Sequence, residues 1–293
     1  YKDGKWGELY ATEDVNMNIH MASTCLHYGQ EVFEGLKAFR GADGKVRLFR
    51  VEENAKRMIN SGEYLKMAVP SVELFTKACI EAVKLNADYI PPYGSGASLY
   101  LRPMLIGVGP QVGVKPSADY LFAVFVTPVG PYYKDGFNCI KVIIDYDHDR
   151  AAPKGTGHVK VGGNYAASLD SGEIAHQKGF ASVIFLDPAT KQYIDECSAA
   201  NFFGIRDGKY ITPDSHSVLP SITNKSLRQI AEDLGLKVEQ RKVGVEELST
   251  FSEAGCCGTA AVISPIGSVY DPKTDKTIVY GDGKTAGPWS QKL

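Results

Sequence analysis

A single lysine beside two glycines, in Lys160-Val161-Gly162-Gly163-Asn164-Tyr165, is the stretch of this sequence whose residue types best fit chemistry at a carbonyl. The glycines let backbone approach a bulky planar ligand, and a tyrosine follows shortly after. A lysine amine attacks an aldehyde when it is desolvated or near other cations, and a glycine-rich, largely uncharged setting suits that role. This is how a Schiff-base lysine is housed. On composition alone a solvated loop lysine remains the stronger reading, and Lys154 beside Pro153 is a second candidate.

Other chemical motifs fail on spacing. In Gly107-Val108-Gly109-Pro110-Gln111-Val112-Gly113 the third glycine falls one residue late for a dinucleotide fingerprint, and no helical pattern follows Pro110. Gly283-Lys284-Thr285 resembles the end of a phosphate loop, but Ile278 stands where that loop needs its first glycine. The histidines form no His-Glu-x-x-His, no metal site is expected, and there is no Gly-x-Ser-x-Gly elbow. Six cysteines without Cys-x-x-Cys spacing read as reduced thiols; Cys256 and Cys257, as strand neighbours, point to opposite faces.

The elements that must position Lys160 are legible as patterns. Lys5–Leu9 and Val46–Phe49 read as strands, with a turn at Gly41-Ala42-Asp43-Gly44. A helix is expected over Glu52–Met67, closed by Pro70, and a second from the N-cap Ser71 to Asn86. Ser98–Ile106 and Tyr120–Thr127 read as strands, the second so apolar that a central place in its sheet is expected. Further on, strands are expected at Cys139–Asp145, Ala181–Leu186, Asn201–Ile205, Tyr210–Thr212 and Leu236–Val243. Helices are expected at Tyr165–Lys178 and Thr223–Leu234, with Thr223 or Asn224 at the start of the latter.

With 293 residues the chain is long enough for about two domains. The Pro- and Gly-rich stretch 129–136 is the expected linker between a small N-terminal domain, 1–128, and a C-terminal domain, 137–293. Lys plus Arg number 32 against 34 Asp plus Glu, net −2, so nucleic acid is not an expected partner. No apolar run approaches a membrane span, and a cytoplasmic location is expected.

Six separated stretches, in order, carry a family resemblance. They are Leu26-His27-Tyr28-Gly29-Gln30-Glu31-Val32-Phe33-Glu34-Gly35-Leu36-Lys37-Ala38-Phe39 with Ser98-Leu99-Tyr100-Leu101-Arg102-Pro103; Lys160 to Tyr165; Asp195-Glu196-Cys197-Ser198-Ala199-Ala200-Asn201-Phe202-Phe203; Leu219-Pro220-Ser221-Ile222-Thr223; and Gly258-Thr259-Ala260. Together they resemble the branched-chain amino-acid aminotransferases, pyridoxal 5'-phosphate (PLP) enzymes of fold type IV. The resemblance implies a two-domain α/β (α+β) fold, a small α/β domain followed by a larger cofactor-binding domain with mixed sheet or barrel and helices. It implies transfer of the amino group of leucine, isoleucine or valine to 2-oxoglutarate, and a homodimer or higher assembly.

The resemblance also implies roles residue by residue. Lys160 becomes the Schiff-base lysine and proton carrier. Glu196 matches the carboxylate at the cofactor's ring nitrogen, with Asp195 on the opposite strand face. Arg57 and Thr259 match phosphate contacts, and Ile222 and Thr223 add backbone N–H groups at a helix start. Tyr165 resembles the tyrosine at the ring hydroxyl. Tyr100 and Arg102 alternate on one strand and so share a face. They, with backbone amides near Thr259 and Ala260, would receive substrate carboxylates, Arg102 the γ-carboxylate of glutamate. Tyr28, Phe33 and Tyr132 match the walls of the side-chain pocket.

Where animal members carry a Cys-x-x-Cys pair this chain has Thr127-Pro128-Val129-Gly130, a bacterial type of sequence, and Leu293 falls where the family's final helix would begin. The alternatives are another fold type IV enzyme, a D-amino-acid aminotransferase or aminodeoxychorismate lyase, or a non-catalytic PLP-binding protein. Tyr100-x-Arg102 argues against the first pair, and intact Lys160 and Glu196 against the last.

Overall fold

The computed structural model describes residues 1–130, 137–260 and 262–293. Of the expected linker 129–136, all but Val129 and Gly130 lies outside the described residues, as does Tyr132. The chain forms two compact units: Tyr1–Pro131 with Val159–Gly163, and Tyr132–His158 with Asn164–Leu293. Chain order places Lys160 in the later domain, whereas the structure groups its segment with the first unit.

The first unit contains α1 (Thr24–Tyr28), β1 (Glu31–Phe33), β2 (Leu36–Arg40), β3 (Val46–Leu48), α2 (Val51–Tyr64), α3 (Val72–Leu85), β4 (Ser98–Gly107) and β5 (Tyr120–Val129). β4 organises a five-stranded antiparallel sheet: β5 lines one edge, β1 and β2 follow one another along the other, and β3 pairs with β2. The β2–β3 turn falls on the Gly41–Gly44 cluster, where Gly44 has φ of 74° and Asp43 takes both guanidinium ends of Arg47. α3 starts as its sequence predicts, with the Ser71 hydroxyl accepting the Leu74 N–H at 3.1 Å, and buries Phe75, Ala78, Cys79 and Val83. α2 stops at Tyr64 rather than running to Met67. Lys66 turns left-handed, φ 57°, and the Met67 N–H reaches back to the Gly62 carbonyl at 2.9 Å, an end that needs no proline.

Two strand expectations are corrected. Lys5–Leu9 forms no strand beyond a Lys2–Lys5 bridge, because the stretch is mostly exposed and finds no partner strand to bury an alternate face. β5, expected at the centre of its sheet, pairs only with β4 and is mostly half-buried to exposed; its apolar side chains Phe122, Val124 and Val126 pack one face on the core. Val159 and Val161, flanking Lys160, are buried in that same core with Met58, Leu99 and Leu101. Burying both neighbours of the lysine ties its main chain to the first unit.

The second unit contains β6 (Ile140–Asp145), α4 (Gly162–Ala166, whose two glycines group with the first unit), α5 (Leu169–Gln177), β7 (Ser182–Leu186), β8 (Ile194–Cys197), β9 (Ala200–Arg206), β10 (Lys209–Pro213), α6 (Ile222–Asp233), β11 (Lys237–Arg241), β12 (Glu253–Gly258), β13 (Val262–Asp271), β14 (Lys276–Val279) and α7 (Pro288–Lys292). Strands β9, β12, β13, β6, β7 and β8 pair in succession, and β8 returns to β9, closing a six-stranded barrel. β10 and β11 extend from β9, and β14 pairs with β13. The helix expected over Tyr165–Lys178 is two helices, α4 and α5, and α6 begins one residue earlier than expected with Ser221 as its cap. The sequence reading did not separate β8, gave β12 no bounds beyond a strand at Cys256-Cys257, and did not find β13 or β14. Cys256 and Cys257 face different clusters, as strand alternation requires, and all six cysteines are free thiols.

No helix among the described residues is long and apolar enough to cross a membrane. Close ring packing sets the barrel's tolerance: a Cβ on Gly204 would lie 2.7 Å from the Phe251 ring, whereas Gly172 of α5 has open space around it. Gly204→Ala should therefore cost about 1–3 kcal/mol. Gly172→Ala should be neutral or stabilising by up to about 1 kcal/mol. Denaturant unfolding of the two variants checks the contrast.

Candidate active site

In the first unit, the groups that can do chemistry gather around one aromatic ring. The Lys160 ammonium nitrogen lies 4.6 Å from the centroid of Phe33, and the Arg102 guanidinium carbon lies 4.8 Å from the same centroid. Arg102 also donates to the Tyr100 hydroxyl, from Nε at 3.2 Å and from Nη2 at 3.0 Å. Alternation along β4 puts Tyr100 and Arg102 on one side, and Gly35 opposite makes the room. A Cβ at residue 35 would sit 2.2 Å from the Tyr100 hydroxyl oxygen. The structure thus brings Phe33, Tyr100, Arg102 and Lys160 together. Lys154 is exposed, whereas Lys160 is half-buried.

The main chain around Lys160 is held at three points. The Phe33 N–H donates to the Lys160 carbonyl at 3.2 Å, the Lys160 N–H to the Ser61 hydroxyl at 3.0 Å, and the Gly162 N–H to Glu31 Oε1 at 2.6 Å. Burial pushes the Glu31 carboxyl above the usual carboxylate range, with the Gly162 N–H working in the opposite direction.

Arg57, two turns before the end of α2, is bidentate to Glu34: Nε to Oε1 and Nη2 to Oε2, each 2.8 Å. Asn54 adds a donor to Glu34 Oε2 at 2.8 Å, and Glu34 is fully buried. One edge of the guanidinium is therefore committed within the protein, which fixes the plane of the group. Tyr28 ends α1, exposed, with its hydroxyl donating to the Val112 carbonyl.

In the second unit, Glu196 on β8 is buried among donors. The Asn201 amide donates to its Oε1 at 3.0 Å, the Leu219 N–H reaches the same oxygen, and Arg150 Nε lies 3.2 Å from Oε2 without the alignment of a hydrogen bond. Arg150 is itself buried and donates to the carbonyls of Gly157 and Ser217. Donors on both oxygens hold the carboxylate in one orientation. Asp195 has a different partner, Ser215 at 2.8 Å, and burial pushes its carboxyl upward. Burial likewise raises Cys197 and Cys257, so these thiols are poor nucleophiles.

The network continues inward. The Asn201 carbonyl oxygen accepts from the Asn224 amide at 3.2 Å; that amide also donates to Thr212, and the Asn224 oxygen accepts from Tyr210. Asn224 lies in the first turn of α6, where Ser221 caps its N–H at 3.1 Å and the preceding N–H groups, Ile222 and Thr223, have no intrahelical acceptor. Thr259, half-buried, and Ala260, exposed, lie in the turn after β12, and Tyr165, half-buried, lies in α4. Among the described residues no cluster of His, Cys, Asp and Glu could hold a metal ion. Sequence reasoning missed Arg150 and Ser61 altogether, and named Asn224 only as a candidate helix start. Glu31, Glu34 and Asn201 stood inside quoted motifs but received no role.

Residues 31–269 match the family described as amino-transferase class IV. The chain is similar to the branched-chain-amino-acid aminotransferase of Haemophilus influenzae, 50% identical over 300 residues, covering 100% of this chain and 87% of that one. It is similar to the enzyme of that name from Helicobacter pylori, 54% identical over 269 residues and covering 91% and 79% of the two chains. Among solved structures, the branched-chain amino acid aminotransferase from Escherichia coli superposes with a TM-score of 0.77 at 31% identity, covering 94% of this chain and 86% of that one. A second branched-chain amino acid aminotransferase, solved with pyridoxamine 5'-phosphate, gives 0.80 at 29% identity with the same coverages. A family match that spans most of the chain, together with relatives about half identical along almost all of it, makes this protein a member of the class IV aminotransferase family.

Proposed function

We propose that this chain is a PLP-dependent aminotransferase that moves the amino group between branched-chain L-amino acids and 2-oxoglutarate. The observation that carries this reading is the ring of Phe33 with a lysine amine on one contact and a guanidinium on another. An amino-acid substrate needs an amine-handling group, a carboxylate receiver and an apolar wall, and these three lie together in the first unit. The names of the relatives support the substrate class.

The donor set fits the cofactor. Lys160 would hold its aldehyde carbon and Glu196 its ring nitrogen, for which a buried carboxylate already ringed by donors is suited. The uncapped first N–H groups of α6, Ile222 and Thr223, with Arg57 and Thr259, would hold its phosphate, and Tyr165 its ring hydroxyl. PLP, when bound, supplies an electrophilic carbon for the amine and an electron-accepting ring for the charge left when the substrate loses its α-proton.

The protein's own part is positioning and proton transfer. Lys160 carries the α-proton at Nζ, and its main-chain anchors keep that nitrogen from wandering into solvent. Glu196 holds a proton-bearing nitrogen through its carboxylate, while Arg150 and Asn201 keep that carboxylate in place. Arg102 and Tyr100 receive a carboxylate of the substrate; Phe33 and Tyr28 form apolar wall, a role also assigned to Tyr132. The Ala260 main chain assists the α-carboxylate. The same reading includes a cytoplasmic enzyme working as a homodimer or larger assembly.

An amino-donor panel with 2-oxoglutarate tests the reading: leucine, isoleucine and valine should each yield glutamate, and failure of all three would overturn it. Glu196→Gln should lower turnover on the order of a hundredfold while cofactor affinity changes far less, since the carboxylate matters most as charge develops. Kinetics beside a cofactor titration checks this. Arg102→Met should weaken glutamate and 2-oxoglutarate by about 2–5 kcal/mol and leave the leucine half-reaction nearly intact. Separate single-turnover measurements with leucine and glutamate check the divergence.

A further inference from the structure

The main chain around Lys160 is held by two residues distant in sequence. Ser61 sits in the last turn of α2, fully buried, and its hydroxyl accepts the Lys160 N–H at 3.0 Å. A serine inside a helix normally turns its hydroxyl to water or to its own helix backbone, so one spent on another segment's main chain has a reason. Glu31 opens β1, and Oε1 accepts the Gly162 N–H at 2.6 Å. The same oxygen occupies the space that a side chain at 162 would need: a Cβ there would lie 2.1 Å from it. A side chain at 162 would have to push the Glu31 carboxylate out of this contact. Between these two contacts the Phe33 N–H holds the Lys160 carbonyl at 3.2 Å, and Val159 and Val161 are buried in the first unit's core.

We propose that Glu31 and Ser61 are positioning residues for Lys160, clamping the peptide units on either side of it so that its amine is presented in one place. Each clamp needs only an acceptor atom, so the charge of Glu31 is not what the clamp uses. The proposal rests on Lys160 being the lysine that takes the cofactor's aldehyde. A backbone shift of about 1 Å at a reacting group costs on the order of a hundredfold in rate, which sets the scale of the effect.

The test mixes cofactor-free protein with PLP and follows the rise of visible absorbance, alongside kcat and KM for leucine and a far-UV and thermal check of folding. Glu31→Ala and Ser61→Ala should each slow the absorbance rise about tenfold to a hundredfold and lower kcat with KM changed less than about threefold. Glu31→Gln keeps an acceptor at that place and should capture the cofactor within about threefold of the parent rate. The proposal is overturned if folded Glu31→Ala and Ser61→Ala capture at the parent rate, or if Glu31→Gln is as slow as Glu31→Ala. Should Glu31→Ala not fold, Ser61→Ala decides alone, since it removes one hydroxyl and leaves a better helix former. A parent protein that gains no absorbance would instead overturn the functional reading on which this one stands.

Discussion

A reactive amine at the end of four rotatable bonds can be aimed only if the peptide that carries it cannot move, and the structure meets that constraint at Lys160. Three main-chain hydrogen bonds and two buried valines bind residues 159–163 to the sheet and helix of the first unit. Much of the first unit's local sequence answers to this. At Gly162 a side chain would displace the Glu31 carboxylate, Ser61 supplies its hydroxyl from inside a helix, and Phe33 at the end of β1 stands against the lysine amine. Gly35 then admits the Tyr100 hydroxyl, which in turn receives Arg102.

The second unit solves a different problem, holding a buried carboxylate on a barrel strand. Burying Glu196 without partners would cost several kcal/mol, and Arg150, Asn201 and the Leu219 N–H offset that cost. Asn201 can donate to Glu196 only with its amide in one orientation, and the Asn224 donor behind it specifies that orientation. Asn224 is also part of the first turn of α6, so the carboxylate and the helix start are joined through two amides. The neighbouring Asp195, with its carboxyl raised by burial and serine hydroxyls as its donors, shows how differently two adjacent acids are treated on opposite faces of one strand.

Local rules make α3 legible to within a residue, because its cap and its apolar stripe are both short-range signals. They fail where tertiary pairing decides. Nothing in Tyr120–Val129 distinguishes a central strand from an edge strand packed on one face, and nothing near Ser198 announces that β8 and β9 close a barrel. For the site, Lys160 with Gly162-Gly163 is visible as a pattern but not decisive, and the order of six motifs supplies what residue types could not. Arg150 and Ser61 leave no mark, since their partners are main-chain atoms or lie far away in sequence. Only the folded chain shows that Arg57 shares its guanidinium with Glu34.

The central claim is that Lys160, and not another lysine, takes the cofactor. Reducing the protein with borohydride in the presence of PLP and mapping the modified peptides tests it directly. The account predicts one phosphopyridoxyl label, on the peptide carrying Lys160. A label confined to Lys154 or spread over surface lysines would contradict it.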